Sequence, residues 1–448
     1  MKIRLSDHFT FKKLLKAALA PMLMMVFTSL YTIVDGVCIS NFCGKESFAG
    51  VNLIFPIIMI VGGLGFMLGT GGSALVGKLL GEKKDLEARQ TFTMTIIFTI
   101  LIGLTITIAG VLLIETLVYA MTSVATGDIS QKMIDEAILY GRLLMAGQVF
   151  FMLQNVFQSF FIVDEKPVLG FVFILIGGLT NIVLDILFIG VCKWGIIGAA
   201  AATICGYLSG SLGPIIYFLI RKNDYIHFER TKLKLKPLIK ICFNGSSEFV
   251  NNISSSIVSI VFNMQLLHYF GEDGINAYGI IMYLAFVFTA IFLGYSSAVA
   301  PIESYNYGAQ NNKELKNVLI KSLIITSILS VSMFIISFTL AEPFSFIFAN
   351  GSDTLLKITT NGMRIYSIAF LFIGLSIYIS TFFTALNNGL ISALIAFLRT
   401  LVFQIVFVFV FPLFLGKYGI FFAILAAEIM SILLAITFLL IYKKKYRY

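Results

Sequence analysis

The sequence predicts an all-α integral membrane protein with twelve transmembrane helices in two six-helix lobes, related by a pseudo-two-fold axis along the membrane normal. Three observations carry this. Of 448 residues, 58% are hydrophobic, and at roughly 20 residues per bilayer crossing that content fills about a dozen helices. Only 12% of residues are charged and the mean hydropathy is +0.96, too apolar for a water-facing surface. Finally, the two halves repeat. A shift of 227 places Gly44 on Gly271 and Gly81 on Gly308; a shift of 222 places Phe160 and Phe161 on Phe382 and Phe383. A shift of 224 places Gly195, Ile196, Ala199 and Ala202 on Gly419, Ile420, Ala423 and Ala426. Six spans per repeat is an even number, so both halves enter from the same side, the plan of a transporter built on parallel repeats around a central cavity.

The spans follow from apolar runs bounded by polar or glycine-rich breaks. In order they cover 17–39, 48–76, 91–114, 138–162, 168–190 and 196–220, then 241–268, 276–302, 317–341, 358–385, 391–414 and 419–441. Backbone groups in lipid have no water to bond, and runs this long satisfy them as helices rather than as ten-residue barrel strands. The first run follows Lys2, Arg4, Lys12, Lys13 and Lys16. It is too long for the apolar region of a signal peptide, so it is expected to be retained as span one. The glycines at 62, 63, 65, 69, 71 and 72 in span two lack any phosphate-loop lysine at the required spacing and read as close helix packing.

Orientation follows from lysine and arginine. Twenty-four of the 32 lie at the termini, the even-numbered helix ends and the 221–240 segment, which places both termini in the cytoplasm. Residues 1–220 are expected to form the N-lobe, 221–240 a basic cytoplasmic linker (Arg221, Lys222, Arg230, Lys232, Lys234, Lys236 and Lys240) and 241–448 the C-lobe. The positive balance thus favours membrane lipids as partners, not nucleic acid. Cys38, Cys43, Cys192, Cys205 and Cys242 form no metal-ligand spacing. The three histidines, His8, His227 and His268, lie at ends or loops with no nucleophile nearby, so no enzyme and no cofactor are expected. A monomer is expected.

Ionisable groups inside the spans are expensive, at least about 2.5–3.5 kcal/mol near a helix centre, and each is a site hypothesis. They are Asp35, Asp185, Glu248, Glu303, Arg399 and Glu428. At about 1.5 Å per residue, Asp35, Asp185 and Thr203 lie roughly 10, 9 and 8 Å from the middle of their spans on the same side. Asn181 sits four residues before Asp185, one turn away on the same face. Two carboxylates, an amide and a hydroxyl form an all-oxygen cluster able to share a proton or to hold a hard monovalent cation such as Na⁺. The repeat sets phenylalanine opposite both acids, so this site belongs to one lobe. Glu248, Glu303 and Arg399 are polar candidates of the second lobe, facing substrate or neutralising one another, with Glu428 a partner for Arg399. Pro21, fourteen residues before Asp35, removes a helix bond and is a candidate conformational hinge. Forty-four phenylalanines and sixteen methionines mostly face lipid, but pliable thioethers and aromatic faces near Pro21 (Met22, Met24, Met25, Phe27) suit bulky lipophilic cations.

The strings PMLMMVFTSLYTIVDGVCIS from Pro21, GVNLIFPIIMIVGGLGFMLGTGGSALVGKLLGE from Gly50 and SYNYGA from Ser304 resemble the multidrug and toxic compound extrusion (MATE) family, its bacterial MepA-like branch in particular, along essentially the whole chain. The resemblance implies a secondary antiporter exporting drugs and toxins while H⁺ or Na⁺ enters. It implies a first-lobe cation site at Asp35, Asn181, Asp185 and Thr203, with Asn155 in span four as a further ligand and Gln158 as its fallback. Glu248 resembles an acidic residue that some branches use in span seven; their partner acid in span ten has no counterpart between Ile358 and Ala385. Two alternatives remain at this point: a flippase for lipid-linked oligosaccharides, which calls for several cavity arginines or lysines, and a channel or sensory membrane protein.

Overall fold

The computed structural model describes residues 3–123, 130–221, 225–348 and 352–448; Lys2 and Lys222 lie outside them. Every expected span is a helix, each reaching beyond its apolar run on at least one side. The first six are α1 (Phe11–Phe42), α2 (Lys45–Gly81), α3 (Asp85–Ser123), α4 (Gln131–Val163), α5 (Pro167–Asp185) and α6 (Gly195–Ile220). Spans seven to nine are α7 (Leu235–Phe270), α8 (Glu272–Gly308) and α9 (Asn312–Thr339). A short helix, α10 (Ala341–Phe348), precedes α11 (Asp353–Ala385). Span eleven is built of α12 (Gly389–Phe397) and α13 (Phe403–Leu415), and α14 (Gly419–Tyr446) is span twelve. Gly416, at φ 64°, and a single 3₁₀ turn reverse the chain so that α13 packs along α14. No strand occurs among the described residues.

Two compact units result. One is Leu23–Gly245; the other joins Met1–Met22 to Ser246–Tyr448. These limits differ from the expected lobes 1–220 and 241–448. Residues 3–22 pack with the second half, because Leu5, Phe9, Leu14 and Ala18 are buried against Tyr295, Val299, Leu315 and Phe382. The expected linker packs on the first half and α7 begins inside it. There the Ile226 and Glu229 amides donate to Asp164 Oδ1 (3.1 Å) and Thr93 Oγ1 (2.9 Å), and Arg89 donates to the Tyr225 carbonyl.

Within each unit the span-four helix is central. In α4, 83% of the most apolar stretch is buried, against 17% in α3, most of whose apolar side chains are exposed; the equivalent α11 is 67% buried. The repeat recurs in the backbone. Lys83 and Glu165 terminate α2 and α4 in the left-handed region, and Gln310 and Asn387 do the same for α8 and α11, offset by the same 227 and 222 residues. Each stop uses one bonding pattern. Lys83 N–H bonds the Leu80 carbonyl and Lys84 N–H that of Leu79; Gln310 and Asn311 bond Tyr307 and Asn306 in the same way. This reversal satisfies the last free carbonyls of a helix. Gly44 (φ 94°) and Gly271 (φ 66°) open α2 and α8, also 227 apart, in a conformation that a Cβ disfavours.

Candidate functional site

The oxygen cluster forms in the first unit, where three helices meet at glycines. A Cβ on Gly178 of α5 would lie 2.5 Å from the Phe27 ring and 3.0 Å from that of Tyr31, both on α1. One on Gly206 of α6 would lie 2.9 Å from the Gly177 carbonyl and 3.0 Å from Asn181 Cβ. Small residues therefore let α5 and α6 approach closely, as membrane helices do, and let two aromatic rings of α1 lie against α5. Asp35, one turn beyond Tyr31, is thereby brought to Asp185 and Asn181.

In that geometry the Asp35 and Asp185 carboxyl groups lie within interaction range of each other and of the Asn181 amide. Asn181 Nδ2 donates to Thr203 Oγ1 at 3.4 Å, while the Thr203 hydroxyl donates to the Ala199 carbonyl at 3.0 Å. Asp185 and Asn181 are buried and Asp35 is half-buried. Four acceptor oxygens, Asp35 Oδ1, both of Asp185 and Asn181 Oδ1, are buried without a hydrogen-bond donor. No lysine, arginine or histidine among the described residues acts on either acid. Directly after Asp185 the helix widens into one π-helical turn, Ile186–Val191, an irregularity that recurs at functional positions in helices.

Three tyrosines, Tyr31, Tyr140 and Tyr207, complete the surroundings. Tyr140 of α4 hydrogen-bonds Thr203 and feels both carboxylates; Tyr31 and Tyr207 feel Asp35. Sequence reasoning missed them. Tyr31 precedes Asp35 by four residues and Tyr207 follows Thr203 by four, so helix spacing would have found those two. Tyr140 reaches the site only through the packing of α4. Asn155 is buried in α4 with Nδ2 unpaired, but it lies fifteen residues beyond Tyr140, about 22 Å along the helix. It stands apart from the cluster. Gln158, its fallback, reaches instead toward Met25 Sδ at 3.5 Å.

The second-unit candidates divide into two groups. Arg399 sits in another π-helical turn, Leu398–Val402, and its Nε donates to both carboxylate oxygens of Glu428 at 3.0 Å. Glu248 lies within the electrostatic reach of Arg399. Because α7 starts at Leu235, Glu248 is a mid-helix residue and not a cap. Glu303 belongs elsewhere: Tyr378 is its hydrogen-bond donor, and it makes no pair with Arg399. Pro21 lies inside the continuous helix α1, immediately before the Met22/Leu23 limit between the units.

Comparisons agree with this architecture. The family model described as MatE matches residues 21–187 and 249–410. The multidrug export protein MepA of Staphylococcus saprophyticus is 27% identical over 370 residues, 78% of each chain, and that of Staphylococcus haemolyticus 24% over 385 residues, 82% of each. A solved structure described as the outward-facing conformation of a multidrug resistance MATE family transporter superposes with a TM-score of 0.91 at 22% identity, covering 98% of this chain and 97% of that one. The chain belongs to the MatE family, whose members are multi-pass membrane transporters and not enzymes.

Proposed function

We propose that this transporter is a secondary antiporter that exports hydrophobic, mostly cationic drugs by alternating access in exchange for H⁺ or Na⁺, with Asp35 and Asp185 as the coupling site. The observation that carries this reading is the pair of neighbouring carboxylates with unpaired buried oxygens and no basic partner among the described residues. Two unit charges about 4 Å apart repel by about 4 kcal/mol at an effective permittivity of 20. One bound proton or cation relieves that repulsion. Relief of part of it is enough for the roughly 1–3 kcal/mol by which coupled sites ordinarily influence each other.

The donor set suits either ion. A proton is shared between the two acids; Na⁺ is held by Asp35, Asp185, Asn181 and Thr203, hard oxygen donors of the kind s-block cations prefer. Coupling requires that the ion and the drug favour different conformations. Occupied and neutral, the cluster permits α1 and α5 to pack closely; emptied and anionic, it attracts a cationic drug and separates them. Pro21 supplies the bend in α1. The protein works as a monomer in the bacterial cytoplasmic membrane with both termini in the cytoplasm, in contact with its lipids. The names of the MepA relatives, multidrug export proteins, support drugs as cargo. The flippase alternative gains little, since Arg399 is neutralised by Glu428.

The test uses purified protein in liposomes under independently imposed pH and Na⁺ gradients, reading export of a fluorescent lipophilic cation. Export is expected to follow one or both gradients and to vanish in Asp35→Asn and Asp185→Asn. Gradient-driven export by either variant at the parent rate would sink the reading, and steady ion conduction without cargo would point to a channel.

A further inference from the structure

The second unit buries a carboxyl group that the reading above leaves unused. Glu303 of α8 is 1% exposed, at a depth where no bulk water compensates an ionised group. The Tyr378 hydroxyl, from α11, donates to its Oε1; Oε2 has no partner. Ser322 of α9 hydrogen-bonds Tyr378, and the Tyr295 hydroxyl donates to Ser322 Oγ at 2.9 Å. Glu303, Tyr378, Ser322 and Tyr295 are all essentially inaccessible. Because Tyr378 spends its proton on Glu303, Ser322 donates to Tyr378 and Tyr295 to Ser322, so three hydroxyls point one way along an unbroken chain. Tyr295 precedes Glu303 by eight residues on the same helix, so the three hydrogen bonds tie together two side chains whose backbones are about 12 Å apart along α8.

The titratable groups that face Glu303 are Tyr378 from α11 and Tyr295 from its own helix; no charged side chain among the described residues acts on it. An isolated buried carboxylate costs several kcal/mol, and one phenol does not offset that. We propose that Glu303 is a proton-binding site of the second unit, separate from Asp35 and Asp185, which carries its proton on Oε2 and exchanges it through Tyr378, Ser322 and Tyr295. The step is a relay: Tyr378 passes its hydroxyl proton to Oε1, Ser322 restores Tyr378, Tyr295 restores Ser322 and a proton from water restores Tyr295, after which rotation of the carboxyl group carries the new O–H to the unpartnered position. It stands independently of how the first unit couples transport.

Infrared difference spectroscopy of the full-length protein in lipid tests this without any transport readout. In an Asp35→Asn/Asp185→Asn background, a carboxylic-acid C=O band is expected at neutral pH and is lost on adding Glu303→Gln. Tyr378→Phe is expected to keep the band but move it to higher wavenumber, since the C=O loses its donor. Ser322→Ala, which cuts the chain, is expected to keep the band in place and to slow its shift on transfer to D₂O. Spectra that do not change on Glu303→Gln, or a band that Tyr378→Phe leaves in place, would overturn the proton site. Exchange in Ser322→Ala at the parent rate would overturn the hydroxyl route.

Discussion

At Gly71 and Gly245 a single methyl group decides whether α2 and the first turns of α7, Leu235–Gly245, can meet within their unit. A Cβ on Gly71 would fall 2.1 Å from the Ile241 carbonyl oxygen, and one on Gly245 would fall 1.9 Å from that of Met67. Backbone cannot rotate aside as a side chain can, so the two segments must separate at this point. Gly245→Ala is therefore expected to destabilise the protein by about 3 kcal/mol or more, the upper range for overpacking. At Gly279 of α8 a Cβ meets nothing within 4 Å and φ is helical, so Gly279→Ala is expected to stabilise by about 0.5–1 kcal/mol through helix propensity alone. Thermal unfolding of the two purified variants in one detergent checks both signs; equal melting temperatures would contradict the argument. Of these two glycines the sequence singled out neither. Gly71 was one of six in a packing cluster, and which member touches backbone depends on the rotation of α2 about its axis.

At the scale of the helix, Arg399 and Glu428 fasten span eleven to α14. Their side chains are 12% and 2% exposed, so removing one leaves an uncompensated charge in the interior, a loss of about 3–5 kcal/mol, whereas replacing both with apolar residues of similar volume is often neutral. Arg399→Met and Glu428→Leu singly are expected to lower the melting temperature sharply, and the double variant is expected to recover most of the loss. A double variant as unstable as the sum of the singles would show that each side chain is needed for something other than the other. This pairing was legible because an arginine in an apolar run has few acids to choose from. The π-helical turn that carries Arg399, like the one after Asp185, was not: widening a helix by one residue leaves no side-chain signature in a run such as ILFIGV. The twelve spans were readable because hydropathy reports lipid. Their ends were not, since beyond the apolar run α3 and α7 continue through residues equally at home in a loop. The depth argument located Asp35, Asn181, Asp185 and Thr203, whereas Tyr140 needed the packing of α4 and Asn155 was carried over by resemblance, not by depth.

For the whole molecule, the limits of the two units have a consequence for the N-terminal segment. Hydropathy counts spans but is blind to which neighbours they choose, and so the halves were expected to divide at 220 and 241. Instead, residues up to Met22 belong with the second half. Glu314 at the start of α9 accepts the Phe9 amide on Oε1 (2.8 Å) and meets His8 Nδ1 with Oε2 (2.7 Å). The Phe9 carbonyl is held by Asn317 Nδ2 at 3.0 Å and Lys321 Nζ at 2.7 Å, and the Phe9 ring is fully buried. Backbone and ring of one residue are thus gripped together, which fixes the start of α1 against α9. Phe9→Ala is expected to cost about 3–5 kcal/mol, the usual range for deleting a buried aromatic ring. Glu314→Ala strands the Phe9 amide and is expected to cost about 1–3 kcal/mol. Since both act on one docking event, the double variant should lose less than the two single losses combined, and a double-mutant cycle on thermal stability measures that shortfall. Strict additivity would mean that ring and carboxylate hold independent pieces of chain. A shortfall as large as the Glu314 loss itself would mean that the carboxylate has nothing to hold once the ring has left its pocket.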